Sequence, residues 1–312
     1  MASEWPVERN DITFQAGDGT TLRGWLYRPE TNSTPHTPTP GVVMTHGFAA
    51  VKEHHLDAFA CRFSALGLTV LLYDHRNCGD SDGSPRYELD PWRQIRDTRD
   101  AITWLSAQPG IDRERIGLWG SSYSGGHALV LGAIDRRVRC VVAQVPTISG
   151  YQQSLRRVRP DAVAAMRDGF DADRVARFRG TEPAIRAVVP AQPGDPAVYP
   201  GDDARAFYAS VETAPDRPWP NAVTLRSLEM ASEYEPGVYV PRITPTPLLM
   251  IVADRDDVTP TDLALEAFGN AREPKKLVLV RGGHFSPYGE KLDESSGAAA
   301  DWFRLHLLGG PD

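Results

Sequence analysis

Arg115-Ile-Gly-Leu-Trp-Gly-Ser-Ser-Tyr-Ser-Gly-Gly-His-Ala-Leu129 is the stretch whose reading decides the fold. Ile116 to Trp119 is a short apolar run that reads as a buried strand, and Ala128 to Leu131 reads as part of a helix. A run of small residues with Ser122 at its centre lies between them. Strand, tight turn with a serine at its apex, then helix is the context of a nucleophile elbow, a strained turn that exposes one hydroxyl above the sheet. The residues two places either side of the apex must be small, and they are Gly120 and Ser124. The pattern is therefore G-x-S-x-S, a mild departure from G-x-S-x-G, with Gly125 one place later. Ser124 is the rival nucleophile, with Gly126 two places beyond it; Gly120 directly ends the strand, which favours Ser122. Taken alone, the match is no better than a Ser/Gly-rich loop before a helix, so the reading depends on partners elsewhere.

Two later apolar runs supply them. Pro247 to Ala253 is followed by Asp254-Arg-Asp-Asp257, and Lys276 to Val280 by Arg281-Gly-Gly-His284. A parallel sheet brings the carboxyl ends of its strands to one edge, so side chains distant in sequence converge there. A serine hydroxyl is a poor nucleophile until a base takes its proton; His284 is the candidate base, with Gly282 and Gly283 freeing the backbone to aim it. Asp256 is the candidate acid that fixes the histidine tautomer. Asp254 and Asp257 compete for that place. Asp256 is preferred for standing four residues before Pro260, with Asp254 expected to cap the loop and Asp257 to face solvent. The strand Gly41 to His46 ends in His46-Gly47-Phe48. A loop in this position donates one oxyanion-hole amide, here assigned to Phe48, the other coming from Tyr123. His46 reads first as a structural histidine satisfying loop backbone groups; with Tyr151 it is also carried as a candidate substrate contact.

The 312 residues, 41% hydrophobic, can build one sizeable core with an insertion. The formal net charge of −7 is spread along the chain without a basic stripe, which argues against a nucleic-acid partner. Cys61, Cys78 and Cys140 make neither a disulfide framework nor a zinc motif. No metal and no cofactor is expected, and Cys78 is read as inert. The first residues carry no leader pattern and no apolar run approaches about 18 residues, so a cytoplasmic protein without a membrane partner is expected. A homodimer stays open.

Residues 10–28 read as a hairpin around Gly17-Asp-Gly19, 29–40 as a loop, Leu56–Leu66 as a helix, Leu68–Tyr73 as a strand and Trp92–Leu105 as a helix. Val138–Val145 reads as a strand and 297–308 as a closing helix. Strand patterning stops at 147 and resumes after 241. The core is accordingly assigned to 1–146 and 242–312, and 147–241 to a helical cap with helices at 160–179, 201–213 and 221–234 and a loop from Pro215 to Pro220. The aromatic residues of that insertion, among them Tyr151, Phe170, Phe178, Tyr199, Phe207, Tyr208, Trp219 and Tyr234, are expected mostly in its own core, with some facing a pocket. Adjacent His54 and His55 cannot share a helix face and read as solvated surface. Asp74 and Arg76 read as a loop-bracing pair, and Arg93–Asp97 and Arg96–Asp100 as solvated i, i+4 pairs.

The elbow Gly120-Ser121-Ser122-Tyr123-Ser124-Gly125, the Ile-Val-Ala-Asp-Arg-Asp256 segment and Gly-Gly-His284-Phe-Ser-Pro-Tyr together resemble the α/β-hydrolase superfamily over nearly the whole chain. The similarity is strongest to its dienelactone-hydrolase-like and X-prolyl-peptidase/cocaine-esterase-like groups. This resemblance implies an α/β fold with an eight-stranded, mostly parallel sheet, flanked by helices and carrying a helical cap after the sixth strand. It also implies a serine hydrolase without a cofactor, acting on a small-molecule ester or thioester through an acyl-enzyme. Amide, peptide or C–C hydrolysis and acyl transfer are the alternatives, and a non-catalytic small-molecule receptor the last.

Overall fold

β1 (Val7–Gln15) and β2 (Thr21–Pro29) form an antiparallel hairpin, turning at Asp18-Gly19 where Gly19 takes a left-handed φ of 85°. The computed structural model describes residues 7–29, 38–192, 194–211 and 219–310. The first six residues, most of the 29–40 loop, the end of the 201–213 helix and most of the Pro215–Pro220 loop lie outside these residues. After the hairpin come β3 (Thr39–Thr45), α1 (Leu56–Ala65), β4 (Thr69–Tyr73), α2 (Pro91–Ser106), β5 (Ile111–Ser121), α3 (Tyr123–Ile134) and β6 (Val138–Gln144). An inserted helical region then holds α4 (Gly150–Arg157), α5 (Val163–Phe178), β7 (Ile185–Arg186), α6 (Asp202–Ala209), β8 (Val223–Thr224) and α7 (Leu225–Ser232). The chain closes with β9 (Leu248–Ala253), α8 (Thr261–Asn270), β10 (Lys275–Val280) and α9 (Leu292–Leu307).

Among the described residues eight strands form one sheet in the order β1-β2-β4-β3-β5-β6-β9-β10, with β4 through β10 parallel and β2 antiparallel to β4. The protein is thus an α/β fold with a mostly parallel sheet and an inserted helical cap region. Every residue of β4 and β9 is buried, because helices cover both faces and both need an apolar side chain. Val43, Leu71, Leu118 and Val141 pack with Ile95, Ile102 and Leu129 of α2 and α3, while Met44, Leu72, Trp119 and Ile251 pack with Phe59, Phe63 and Phe303 of α1 and α9. Each such buried side chain contributes about 1.5–3 kcal/mol relative to exposure. No helix among the described residues is long and apolar enough to cross a membrane.

Three surface expectations are corrected. Asp97 lies on the buried side of α2, where both its oxygens receive the Arg76 guanidinium fork at 2.6 and 2.5 Å, so the Arg93–Asp97 surface pair does not form. Asp100 instead accepts the Gly17 amide at 2.7 Å. Asp74 does not brace Arg76 either. It takes the Lys52 ammonium at 2.7 Å and the Lys52 and Asp80 amides at 2.8 and 3.0 Å. Lys52 also reaches Glu53 and Asp80, each at 2.7 Å, and so neutralises a cluster of three carboxylates. His54 is buried rather than solvated. The insertion folds back over it, placing its ring 5.2, 5.4 and 5.9 Å from those of Phe207, Tyr208 and Trp219. His55 is exposed.

Burial pulls His54 down to about 3 and His127 likewise to about 3. His127 is held neutral by its partners, with Nδ1 accepting from the Tyr234 hydroxyl and Nε2 donating to Gln94 Oε1, both at 2.9 Å. The folded chain therefore leaves these rings unprotonated where an unfolded chain, with histidines near ~6.5, takes up protons. More protons bound in the unfolded state means stability falls as pH is lowered from about 6.5 toward 3. Urea unfolding should show a lower midpoint at pH 5 than at pH 7; an equal or higher midpoint at pH 5 contradicts the neutral burial of these rings.

Candidate active site

Ser122 is the turn between β5 and α3 and holds φ 56°, ψ −117°, a conformation that costs a non-glycine residue about 1–3 kcal/mol. Its neighbours make the turn obligatory. The Ser122 amide donates to Gln144 O at 2.8 Å, and its carbonyl accepts the Thr147 amide at 2.9 Å, fastening the turn to the end of β6. A Cβ at Gly120 would lie 2.0 Å from the Ser124 carbonyl oxygen, and one at Gly47 would lie 2.9 Å from Ser122 Cβ. Both positions therefore exclude side chains, which is the physical content of the small-residue rule at the elbow.

The structure brings Ser122, His284 and Asp256 together. His284 Nε2 lies 3.0 Å from Ser122 Oγ, and His284 Nδ1 lies 2.8 Å from Asp256 Oδ2. The three side chains stand at the carboxyl ends of β5, β10 and β9. Asp256 Oδ1 also accepts the amides of Val258 and Thr259 at 2.9 and 2.7 Å, and Oδ2 the Thr259 hydroxyl at 2.8 Å. These bonds fix the carboxylate, so His284 presents Nδ1–H to it and leaves Nε2 free to accept the serine proton. Asp254 caps the β10 loop by accepting the Gly282 amide at 2.8 Å, and Asp257 is exposed. Ser124 is buried and differently engaged. Its hydroxyl donates to His46 O at 2.5 Å, so the His75 Nε2 beside it at 2.8 Å serves as donor and not as base.

The amides of Phe48 and Tyr123 donate to no described group, and both residues line the cavity that Ser122 opens into. Tyr208 donates its hydroxyl to Phe48 O at 2.6 Å and Trp219 its indole N–H to Ala49 O at 2.8 Å, so the insertion fixes the turn that carries the Phe48 amide. Sequence reasoning missed both tethers, since nothing in the residue pattern links positions 208 and 219 to residue 48. His46 is buried with both nitrogens in use: Nε2 accepts the His75 amide at 3.0 Å, leaving Nδ1 to donate to Gly47 O at 3.0 Å. It has no ring nitrogen to offer a substrate.

The cavity beside Ser122 has a volume of about 470 Å³. Gly150, Gln153, Ser154 and Arg157 line it from α4, at i, i+3, i+4 and i+7. Tyr151 falls on the other face of that helix, 52% exposed, and is corrected as a pocket contact. Phe178, the last residue of α5, is 93% exposed and belongs to no core. Phe170, Tyr199, Tyr208 and Tyr234 are buried, and the first two line the cavity. Burial raises the Tyr199 hydroxyl, against a lowering by Arg157. Burial also pushes the Cys78 thiol up to about 12, which makes it a poor nucleophile.

The sheet, the elbow at the end of β5 and the convergent loops define an α/β-hydrolase-superfamily enzyme. Residues 18–177 match the X-Pro dipeptidyl-peptidase (S15) family, and the chain belongs to it. Among its relatives are Thiohydrolase aneE of Aspergillus aculeatus, 36% identical over 86% of this chain and 83% of that one, and Polyketide transferase ATR5 of Stachybotrys chlorohalonatus, 32% identical over 90% and 91%. The crystal structure of the alpha/beta hydrolase GrgF from Penicillium sp. sh18 superposes with a TM-score of 0.82 at 28% identity, covering 96% of this chain and 99% of that one.

Tyr208→Phe removes one tether of the loop that carries the Phe48 amide and leaves the ring packing intact. Steady-state kinetics on an activated ester should show kcat lowered by about tenfold, a fraction of what losing an oxyanion donor outright costs, with KM little changed. An unaltered kcat contradicts the role given to this hydrogen bond.

Proposed function

We propose that the protein hydrolyses an acyl thioester or ester through an acyl-enzyme on Ser122. The observation that carries this reading is the unbroken chain Ser122 Oγ, His284 and Asp256, at 3.0 and 2.8 Å, opening on an acyl-sized cavity. His284 Nε2 takes the Ser122 proton as Oγ bonds to the carbonyl carbon. The oxyanion is held by the amides of Phe48 and Tyr123. Collapse breaks the C–S or C–O bond, His284 returns the proton to the leaving thiolate or alkoxide, and the acyl group stays on Oγ. Water then gives its proton to His284, its oxygen bonds to the acyl carbon, and the carboxylic acid leaves as Ser122 regains the proton. Segment 147–241 acts as the cap, lining the acyl cavity with α4 and α5.

The relatives bearing thiohydrolase names favour a thioester. Transfer to an alcohol or amine uses the same first half-reaction and is the second reading, favoured by the relatives named transferases. Water as acceptor is supported by the space on the histidine side of Ser122. That space, bounded by His284, Phe285, Tyr208 and Tyr288, measures about 20 Å³, room for about one water.

Release of free thiol from an N-acetylcysteamine acyl thioester tests the reading. Ser122→Ala should lower kcat by about 10⁴-fold or more, and Asp256→Asn by about 10³–10⁴-fold through loss of the correct tautomer. Equal turnover by wild type and Ser122→Ala would refute it.

A further inference from the structure

Among the described residues the catalytic cavity is lined by two charged side chains, Arg157 and Arg186, and by no aspartate or glutamate. This is not an average surface for the chain, which has 41 acidic and 34 basic residues. Neither guanidinium is in an ion pair among the described residues. The contrast with the next residue along α4 is direct, since Arg156 makes a two-pronged pair with Asp262 at 2.6 and 2.8 Å. Both cavity arginines are exposed, which puts them at its mouth, while Phe170 and Tyr199 are buried in its wall.

Arg157 is held in place before any ligand arrives. One Nη donates to Val258 O at 2.5 Å, and the guanidinium carbon stands 5.0 Å from the centre of the Tyr199 ring. Arg157 also hydrogen-bonds the Tyr199 hydroxyl, so two neutral groups hold the guanidinium while its charge stays without a carboxylate partner among the described residues. Arg186 reaches the cavity from the other side, on β7, whose pairing with β8 fixes its backbone opposite Val223. A planar guanidinium presents paired donors that fit the oxygens of a phosphate or carboxylate, and an apolar wall strengthens the attraction. A neutral acyl chain gives two unpaired cations nothing to do.

We propose that Arg157 and Arg186 bind an anionic group on the substrate and make charge a determinant of its selection. The inference rests on the acyl-enzyme reading above and narrows it to anionic acyl substrates. The same chemistry can come from two sources: the phosphate of a phosphopantetheine arm bearing the thioester, or a carboxylate on the acyl chain itself.

The test compares kcat/KM for three thioesters of one chain length: a neutral acyl N-acetylcysteamine, the same acyl group on phosphopantetheine, and an ω-carboxyacyl N-acetylcysteamine. Wild type should prefer one anionic substrate over the neutral one by at least about tenfold, the worth of one charge-assisted contact. Which one it prefers names the source. Arg157→Gln and Arg186→Gln should each shrink that preference severalfold, the double variant should erase it, and Arg157→Lys should keep part of it. Arg186→Gln touches no residue of the Asp256 loop, so its effect reads charge and not misfolding. Equal wild-type rates on all three substrates, or a preference that survives in the double variant, overturns the proposal. Binding of the corresponding unreactive thioethers, measured by calorimetry, carries the same comparison without turnover. A failure of the hydrolase reading, seen as no Ser122-dependent thiol release, is therefore distinct from a failure of this one.

Discussion

The turn at Ser122 is the constraint on which the rest of the site depends. A serine at φ 56° and ψ −117° is stable only because its amide and carbonyl are both bonded to the chain leaving β6, and because Gly47 and Gly120 leave room for it. The strain is local and small against the burial of the central strands, so the sheet can sustain it. What the strain achieves is direction. Ser122 Oγ is turned toward the cavity and His284, beside an amide at the start of α3, while Ser121 turns inward to the Tyr288 hydroxyl and Ser124 to His46 O. Of three serines within four residues, one faces the cavity.

The inserted region does more than cover that serine. Tyr208 and Trp219 hold the carbonyls of Phe48 and Ala49, and Gln153 and Arg157 both donate to Val258 O, next to the Thr259 that braces Asp256. Each of these bonds contributes on the order of 0.5–1.5 kcal/mol. Together they tie the cap to the loop that carries Phe48 and to the loop that carries Asp256. A cap built this way couples its own packing to the geometry around Ser122, and it supplies part of the cavity wall through α4 and α5.

Much of this was legible in the sequence where burial is two-sided. The apolar runs of β4, β5 and β9, the small residues around Ser122 and the histidine after β10 each carry a local signal, and a parallel sheet converts them into one edge. The fold class follows from those runs. What escaped had no local signal. α4 contains Leu155 as its one large apolar residue and starts on a Ser149 cap that accepts the Gln152 amide at 3.1 Å, so it shows no apolar stripe. Asp97 looked solvated because its partner, Arg76, lies 21 residues earlier and comes from the end of β4. His54 looked exposed because the rings that bury it arrive from more than 150 residues downstream. Tyr151, expected as a substrate contact, does not line the cavity beside Ser122; without α4 its face could not be assigned.

The central claim is that the oxygen of residue 122 carries the acyl group. Rapid acid quenching of the enzyme with a slowly turned-over acyl thioester, followed by intact-mass measurement and peptide mapping, examines it directly. The account predicts one added acyl mass, located on Ser122. An acyl group found on Ser124, or turnover with no serine adduct at any quench time, would contradict it.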